Sequence, residues 1–126
     1  MKSIFLKVCF IVLFASAGFI IAQDLKTVTL DEDINNLAVP IEVTLEAGES
    51  LKFVSTNGDF AIIIYDANEI FDYDEDNIDI IVTPSAPSNL YTALKLGATI
   101  TQEYYLYSFG NNKWPDAPPK IIIQVK

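Results

Sequence analysis

The sequence predicts an all-β chain folded as an antiparallel Greek-key β-sandwich. Three observations carry that expectation. Ile41, Val43 and Leu45 alternate with Glu42, Thr44 and Glu46, the period of a strand with one buried and one wet face. Turn-forming clusters such as Ala47-Gly48-Glu49 and Thr56-Asn57-Gly58-Asp59 punctuate the apolar runs, the Asn-Gly pair being a strong hairpin signal. The helical period is convincing nowhere, although 89–96 has room for a short turn of helix. Many short strands within about one hundred residues are the pattern of a two-layer β domain.

The first element is a leader. Lys2 and Lys7 flank or interrupt an apolar run, and 8–21 carries no charge. That is the arrangement of a secretory signal. Cleavage is expected after Ala22, before Gln23; the rival site after Ala15-Ser16-Ala17 would leave Gly18-Phe19-Ile20-Ile21 exposed at the new start. An uncleaved membrane anchor is the alternative. The expected organisation is a signal peptide at 1–22 and one domain at 23–126. The product is exported to the periplasm or the extracellular space and keeps no membrane attachment after cleavage.

What remains after residue 22 has six lysines, no arginine and 17 acids, a formal charge of about −11. Such a surface repels phosphate backbones and anionic lipid, which disfavours nucleic acid and membrane as partners. The same segment has no Cys, His or Met. No disulfide can form in it, soft and borderline metals lack their ligands, and Cys–His or Ser–His nucleophilic mechanisms are excluded.

Val28 and Leu30 alternate with threonines and suggest a first strand, followed by an acidic turn at 31–36. The clean alternation at 40–53 resumes after Gly48 with Leu51 and Phe53. Residues 60–65 form a continuous apolar run, expected to be a strand covered on both faces, and 78–82 is similar until the proline-bearing stretch 84–88 stops it. Residues 94–100 are weaker, with Gly97 suggesting a turn or bulge. The chain closes on a strand, a loop and a strand. Tyr105, Tyr107 and Phe109 lie two apart and share one face, as do Ile121, Ile123 and Val125. The two runs, around a loop holding Trp114 and three prolines, read as a strand pair.

These residues resemble a cupredoxin-like domain over about 40–126. The Gly48 turn, the strand ending in Phe53, and Asn57 match the family's middle element. Tyr105-x-Tyr107-x-Phe109 matches the aromatic positions before its cysteine, and 121–125 matches its closing strand. Immunoglobulin-like sandwiches share the same strand pattern. The metal site is missing: Phe109 stands where the cysteine ligand would be, and 111–119 supplies neither His nor Met. Blue-copper chemistry needs a thiolate and two imidazoles, so the resemblance implies a scaffold without copper or electron transfer. It also implies that Phe60, Phe109 and the Trp114 loop gather at the end of the sandwich where the family keeps its metal. There they are expected to close a dry aromatic plug with Phe109 buried.

Two stretches are candidates for a site. Asp72, Asp74 and Asp76 occupy the first, third and fifth positions of a calcium loop, with the carbonyl of Ile78 at the seventh. Hard Ca²⁺ takes six to eight such oxygens. Asn77 replaces the sixth-position glycine and Thr83 the twelfth-position glutamate, so a solvated acidic loop stands beside the calcium reading. Among the aromatics Tyr91, Tyr104, Tyr105, Tyr107, Phe109 and Trp114, the tyrosines are expected to pack in the core, with a sugar-stacking platform as the alternative. Trp114, in a loop beside Pro115, is placed at a partner-binding surface. The reading that results is an exported, non-catalytic β-sandwich, binding an unidentified protein or glycan, with no cofactor beyond possible calcium. A calcium-stabilised carbohydrate-binding or adhesive domain is the alternative, and a carboxylate hydrolase the third.

Overall fold

The computed structural model describes residues 24–125. The leader at 1–22 and its cleavage point beside Gln23 lie outside the described residues.

One sheet contains β1 (Leu25–Asp31), β2 (Ala38–Val39), β4 (Ser50–Asn57) and β7 (Tyr91–Thr92), in the order β2-β1-β4-β7. A second holds β3 (Glu42–Glu46), β10 (Lys120–Gln124) and β8 (Ile100–Glu103), in the order β3-β10-β8. A third holds β6 (Ile78–Val82), β5 (Phe60–Ile64) and β9 (Tyr105–Ser108), in the order β6-β5-β9. The second and third sheets meet at Tyr104, the single residue between β8 and β9. Its N–H donates to the Pro119 carbonyl at 3.1 Å, one step beyond the Glu103–Lys120 pair. They therefore form one layer, and the first sheet forms the other.

The core lies between the layers as one buried cluster. Val28, Leu30, Leu51 and Phe53 come from the first sheet, Val43, Leu45, Ile121 and Ile123 from the second, and Phe60, Ile62, Ile64, Ile78, Val82 and Leu106 from the third. Alternation explains the membership. In β3 and β4 the buried apolar residues Val43, Leu45, Leu51 and Phe53 fall two apart, with Val54 the one apolar residue on the partly exposed side, so the side of the strand that faces in is largely written in its pattern. Each large side chain buried this way contributes about 1.5–3 kcal/mol.

The all-β sandwich is as expected, but its pairing is mixed. β1 runs parallel to β4, and β3 runs parallel to β10. Alternation within a strand reports which face is buried and says nothing about the direction of the neighbour. The closing runs also do not pair with each other: β9 lies against β5, while β10 lies between β3 and β8. The eleven-residue loop between them crosses from one half of the layer to the other.

Candidate functional site

The site begins with the alternation of the third sheet. Phe60, Ile62 and Ile64 point into the core, so Ala61 and Ile63 point out. Ala61 stands beside Ile81 on one side and Tyr107 on the other, and Ile63 stands beside Asp79 and Tyr105. Residues directly opposite in a ladder share a face. The outward surface of β6, β5 and β9 is therefore mostly apolar and aromatic, with Tyr65, Ile81 and Tyr105 exposed. This corrects the expectation that the 60–65 strand is covered on both faces. A strand apolar on both sides needs a third layer, and only a loop crosses this one.

That loop runs from Phe109 to Pro119. Ser108 and Lys113 exchange backbone hydrogen bonds of 3.0 and 3.3 Å, closing its first turn. The Tyr107 hydroxyl donates to Asn112 Oδ1 at 3.0 Å. The chain then brings the Trp114 ring to 4.8 Å from the Tyr107 ring while leaving the indole 58% exposed. Further on, Asp116 N–H donates to the Asn35 carbonyl and Ala117 N–H to Asn36 Oδ1. The loop is thus tied down on both sides of Trp114, which limits the ordering entropy a bound partner would have to supply.

Two grooves flank Tyr105. The larger, about 400 Å³, is lined by Tyr65, Tyr105, Trp114, the Gln102 and Glu103 pair, and the wall of Pro115, Asp116, Pro118 and Pro119, with Tyr104 and Leu106 at its back. The smaller, about 260 Å³, is lined by Ala61, Ile63, Tyr107 and the same three rings. Tyr65 meets Tyr105 edge to face at 5.6 Å, a stable aromatic geometry. Three aromatic side chains therefore belong to both grooves.

Trp114 and Pro115, read from sequence as a partner-binding surface, lie in this site. Tyr105 and Tyr107, expected in the core, belong to its face instead, and Phe109 is 46% exposed beside Tyr107. Tyr105, Tyr107 and Phe109 do share one side, but the inward side of that strand is Tyr104, Leu106 and Ser108. Of the expected plug, only Phe60 is buried. The end beyond it is polar. Glu32 N–H donates to the Asn57 carbonyl, the Asn111 amide donates to the Glu32 carbonyl, and the Glu32 carboxylate lies against Gly58 and Gly110. A side chain at Gly58 would clash with that carboxylate, and its φ of 95° is itself a glycine conformation.

Tyr104 and Tyr91 are the tyrosines that pack inward. Tyr104 meets Phe53 edge to face at 5.5 Å, and its buried hydroxyl has no hydrogen-bond partner among the described residues. Burial pushes its pKa well above the ordinary tyrosine value. Tyr91, against Phe71 and Tyr73, is shifted the same way, first by burial and then by Tyr73.

The acidic stretch leaves the core at Phe71 and returns at Ile78, both buried. Asp72 N–H donates to the Thr92 carbonyl, and Asn77 Oδ1 accepts from Asp66 N–H. Asp72, Asp74 and Glu75 border a shallow hollow with Tyr73, while Asp76 lies outside it and Ile78 is the first residue of β6. Among the described residues no group of three or more Asp, Glu, His or Cys side chains is placed to hold a metal ion. The loop does not draw Asp72, Asp74 and Asp76 into one ligand set: its ends are held apart, Phe71 by a bridge to Ala93 and Ile78 as the start of β6.

Sequence reasoning missed Tyr65, Glu103 and Asp116. A signal for the first existed: 60–65 is apolar at both odd and even positions, and no α-helix among the described residues covers a second face.

No protein-family model matches this chain, and no curated protein matches it. Its structure is similar to a reduced copper(I) form of an amicyanin variant, with a TM-score of 0.48 and 10% identity over 86% of this chain and 88% of that one. It is also similar to a chain of a heme-copper terminal oxidase dimer, with a TM-score of 0.46 and 11% identity over 96% and 92%. Likenesses below a TM-score of 0.5 carry nothing about chemistry or partners to this chain.

Proposed function

We infer that this protein is an exported, non-catalytic binding module of the cell envelope or extracellular space, working through the outer face of β5 and β9. The supporting observation is the set of three rings, Tyr65, Tyr105 and Trp114, that line both grooves. Exposed aromatic side chains gathered on a rigid surface are what interfaces use as anchors. Tyr105 lies on β9, Tyr65 in the turn directly after β5, and Trp114 on a tied loop, so little order has to be created on binding. The scaffold is a cupredoxin-like sandwich without copper ligands. Phe109 occupies the cysteine position, and the loop to Pro119 contains no imidazole or thioether.

The test compares immobilised wild-type protein with a Tyr105→Ala, Trp114→Ala double variant, using envelope and secreted fractions and a glycan panel. Proteins or glycans retained by the first and lost by the second, at unchanged melting temperature, support the reading. Identical retention by both would move the working surface elsewhere. Export is tested by the intact mass of the secreted product, which should begin at Gln23.

A further inference from the structure

We propose that the larger groove takes a basic side chain, an arginine or lysine carried on an extended segment of a partner protein. This rests on the reading of the face as a binding surface and adds the chemistry of its ligand.

Charge is the first ground. The groove is bordered by two carboxylates, Glu103 and Asp116, and among the described residues no lysine lines either groove. Lys120 stands opposite Glu103 in the ladder, but its ammonium is 3.7 Å from Glu42 on the other side. Lys113 precedes Trp114 and lines neither groove. Asp79, beside Ile63, extends the acidic border across the same face. With 17 acids against eight lysines in the whole chain, the long-range field also favours a cation.

Hydrogen-bond capacity is the second ground. Carboxylates only accept, and guanidinium and ammonium groups only donate. Among the described residues the one side-chain amide in the lining, Gln102, gives one of its two Nε2 hydrogens to the Glu103 carbonyl at 3.1 Å. The third ground is the rings. A cation over the face of tryptophan or tyrosine is attracted by the ring quadrupole, more strongly where water is partly excluded. Tyr65, Tyr105 and Trp114 supply three such rings, and Pro115, Pro118 and Pro119 supply an apolar wall for the aliphatic stem. A neutral ligand could use the rings and donate hydroxyl or amide hydrogens to the carboxylates, but it would leave their two negative charges uncompensated.

Trp114 is the only tryptophan in the chain, so its fluorescence reports on this groove directly. The probe is a capped peptide of alternating glycine and arginine, with a control in which glutamine replaces arginine. The arginine peptide should change the emission saturably, weaken as salt is raised, and bind more tightly than the glutamine peptide. Tyr105→Ala should lower its affinity about 10-fold, and Glu103→Gln with Asp116→Asn about 5-fold. Equal binding of the two peptides overturns the proposal, as does indifference to salt. So does an absence of binding, or a response to neutral oligosaccharides in place of the arginine peptide. The peptide and salt comparisons use the wild-type chain and so do not depend on any variant folding. If the arginine peptide fails while the double variant still loses retained proteins or glycans, the charge argument falls and the binding surface stands.

Discussion

The two halves of the second layer share one core and differ on the outside. In the β3-β10-β8 half, the inward residues Val43, Leu45, Ile121 and Ile123 are buried, and the outward rows read Glu42 with Lys120, Thr44 with Ile122, and Glu46 with Gln124. In the β6-β5-β9 half, the inward residues Phe60, Ile62, Ile64 and Leu106 are buried just as fully. Its outward rows read Ile81 with Ala61 and Tyr107, and Asp79 with Ile63 and Tyr105. The first half demonstrates that a mostly polar outer face is compatible with this layer. Stability therefore does not demand an apolar outer face on the second, and an apolar face left in water promotes association. The proposal that binding uses the β5–β9 side rests on this difference.

The comparison breaks most visibly under core truncation. Phe60→Ala should cost about 3–5 kcal/mol in denaturant-monitored unfolding, since a buried ring leaves a cavity. Tyr105→Ala and Phe109→Ala, one strand away but outward, should each cost less than about 1 kcal/mol. Equal costs would erase the distinction between the faces. Next in size is a charge placed at matched outward positions of the two halves. Ala61→Lys should weaken retention of a captured partner at least about tenfold, whereas Thr44→Lys should leave it unchanged. Circular dichroism and melting of both variants verify that each is folded.

A smaller effect is expected at the junction of the halves. The Tyr104 hydroxyl is buried without a partner among the described residues, so Tyr104→Phe should leave stability unchanged or raise it by up to about 1 kcal/mol. Its raised pKa favours the neutral phenol in the folded state. The associated stability is complete below the unfolded-state value of about 10 and is lost as pH rises above it. Wild-type melting temperature should therefore fall at alkaline pH, and the fall should be shallower in Tyr104→Phe. Tyr91, also shifted upward, retains its part of the slope in both proteins. The smallest expected effect lies outside the layer, at Asp72, Asp74 and Asp76. Melting in calcium and in chelator should coincide, because a ligand raises melting only by binding the native state. A calcium-dependent rise abolished by Asp74→Asn with Asp76→Asn would restore the calcium reading.

Legibility in the sequence followed contrast between odd and even positions. At β3 and the first half of β4 (Leu51 and Phe53 against Ser50 and Lys52) one set is apolar and the other polar, so the strands, their inward faces and the turn at Gly48 could all be read from local pattern. At 104–109 both sets carry large apolar or aromatic groups, Tyr104 and Leu106 against Tyr105, Tyr107 and Phe109. A shift of one residue exchanges the faces, and the more aromatic set turned out to be the outward one. The exposure of Trp114 was legible from its loop, because prolines and a lone ring between two strands have no ladder to join.

By itself, then, the sequence determined an all-β chain, an acidic surface and the absence of thiolate, imidazole and thioether ligands after residue 22, since each follows from composition or a period of two. Tertiary structure decided which face of β9 is wet, which strands run parallel, and that Tyr65, Tyr105, Trp114, Glu103 and Asp116 share a groove. Those outcomes depend on pairings between residues far apart in the chain, Glu42 with Lys120 in the parallel pair and Tyr65 with Trp114 in the groove, and local side-chain alternation holds no information about them.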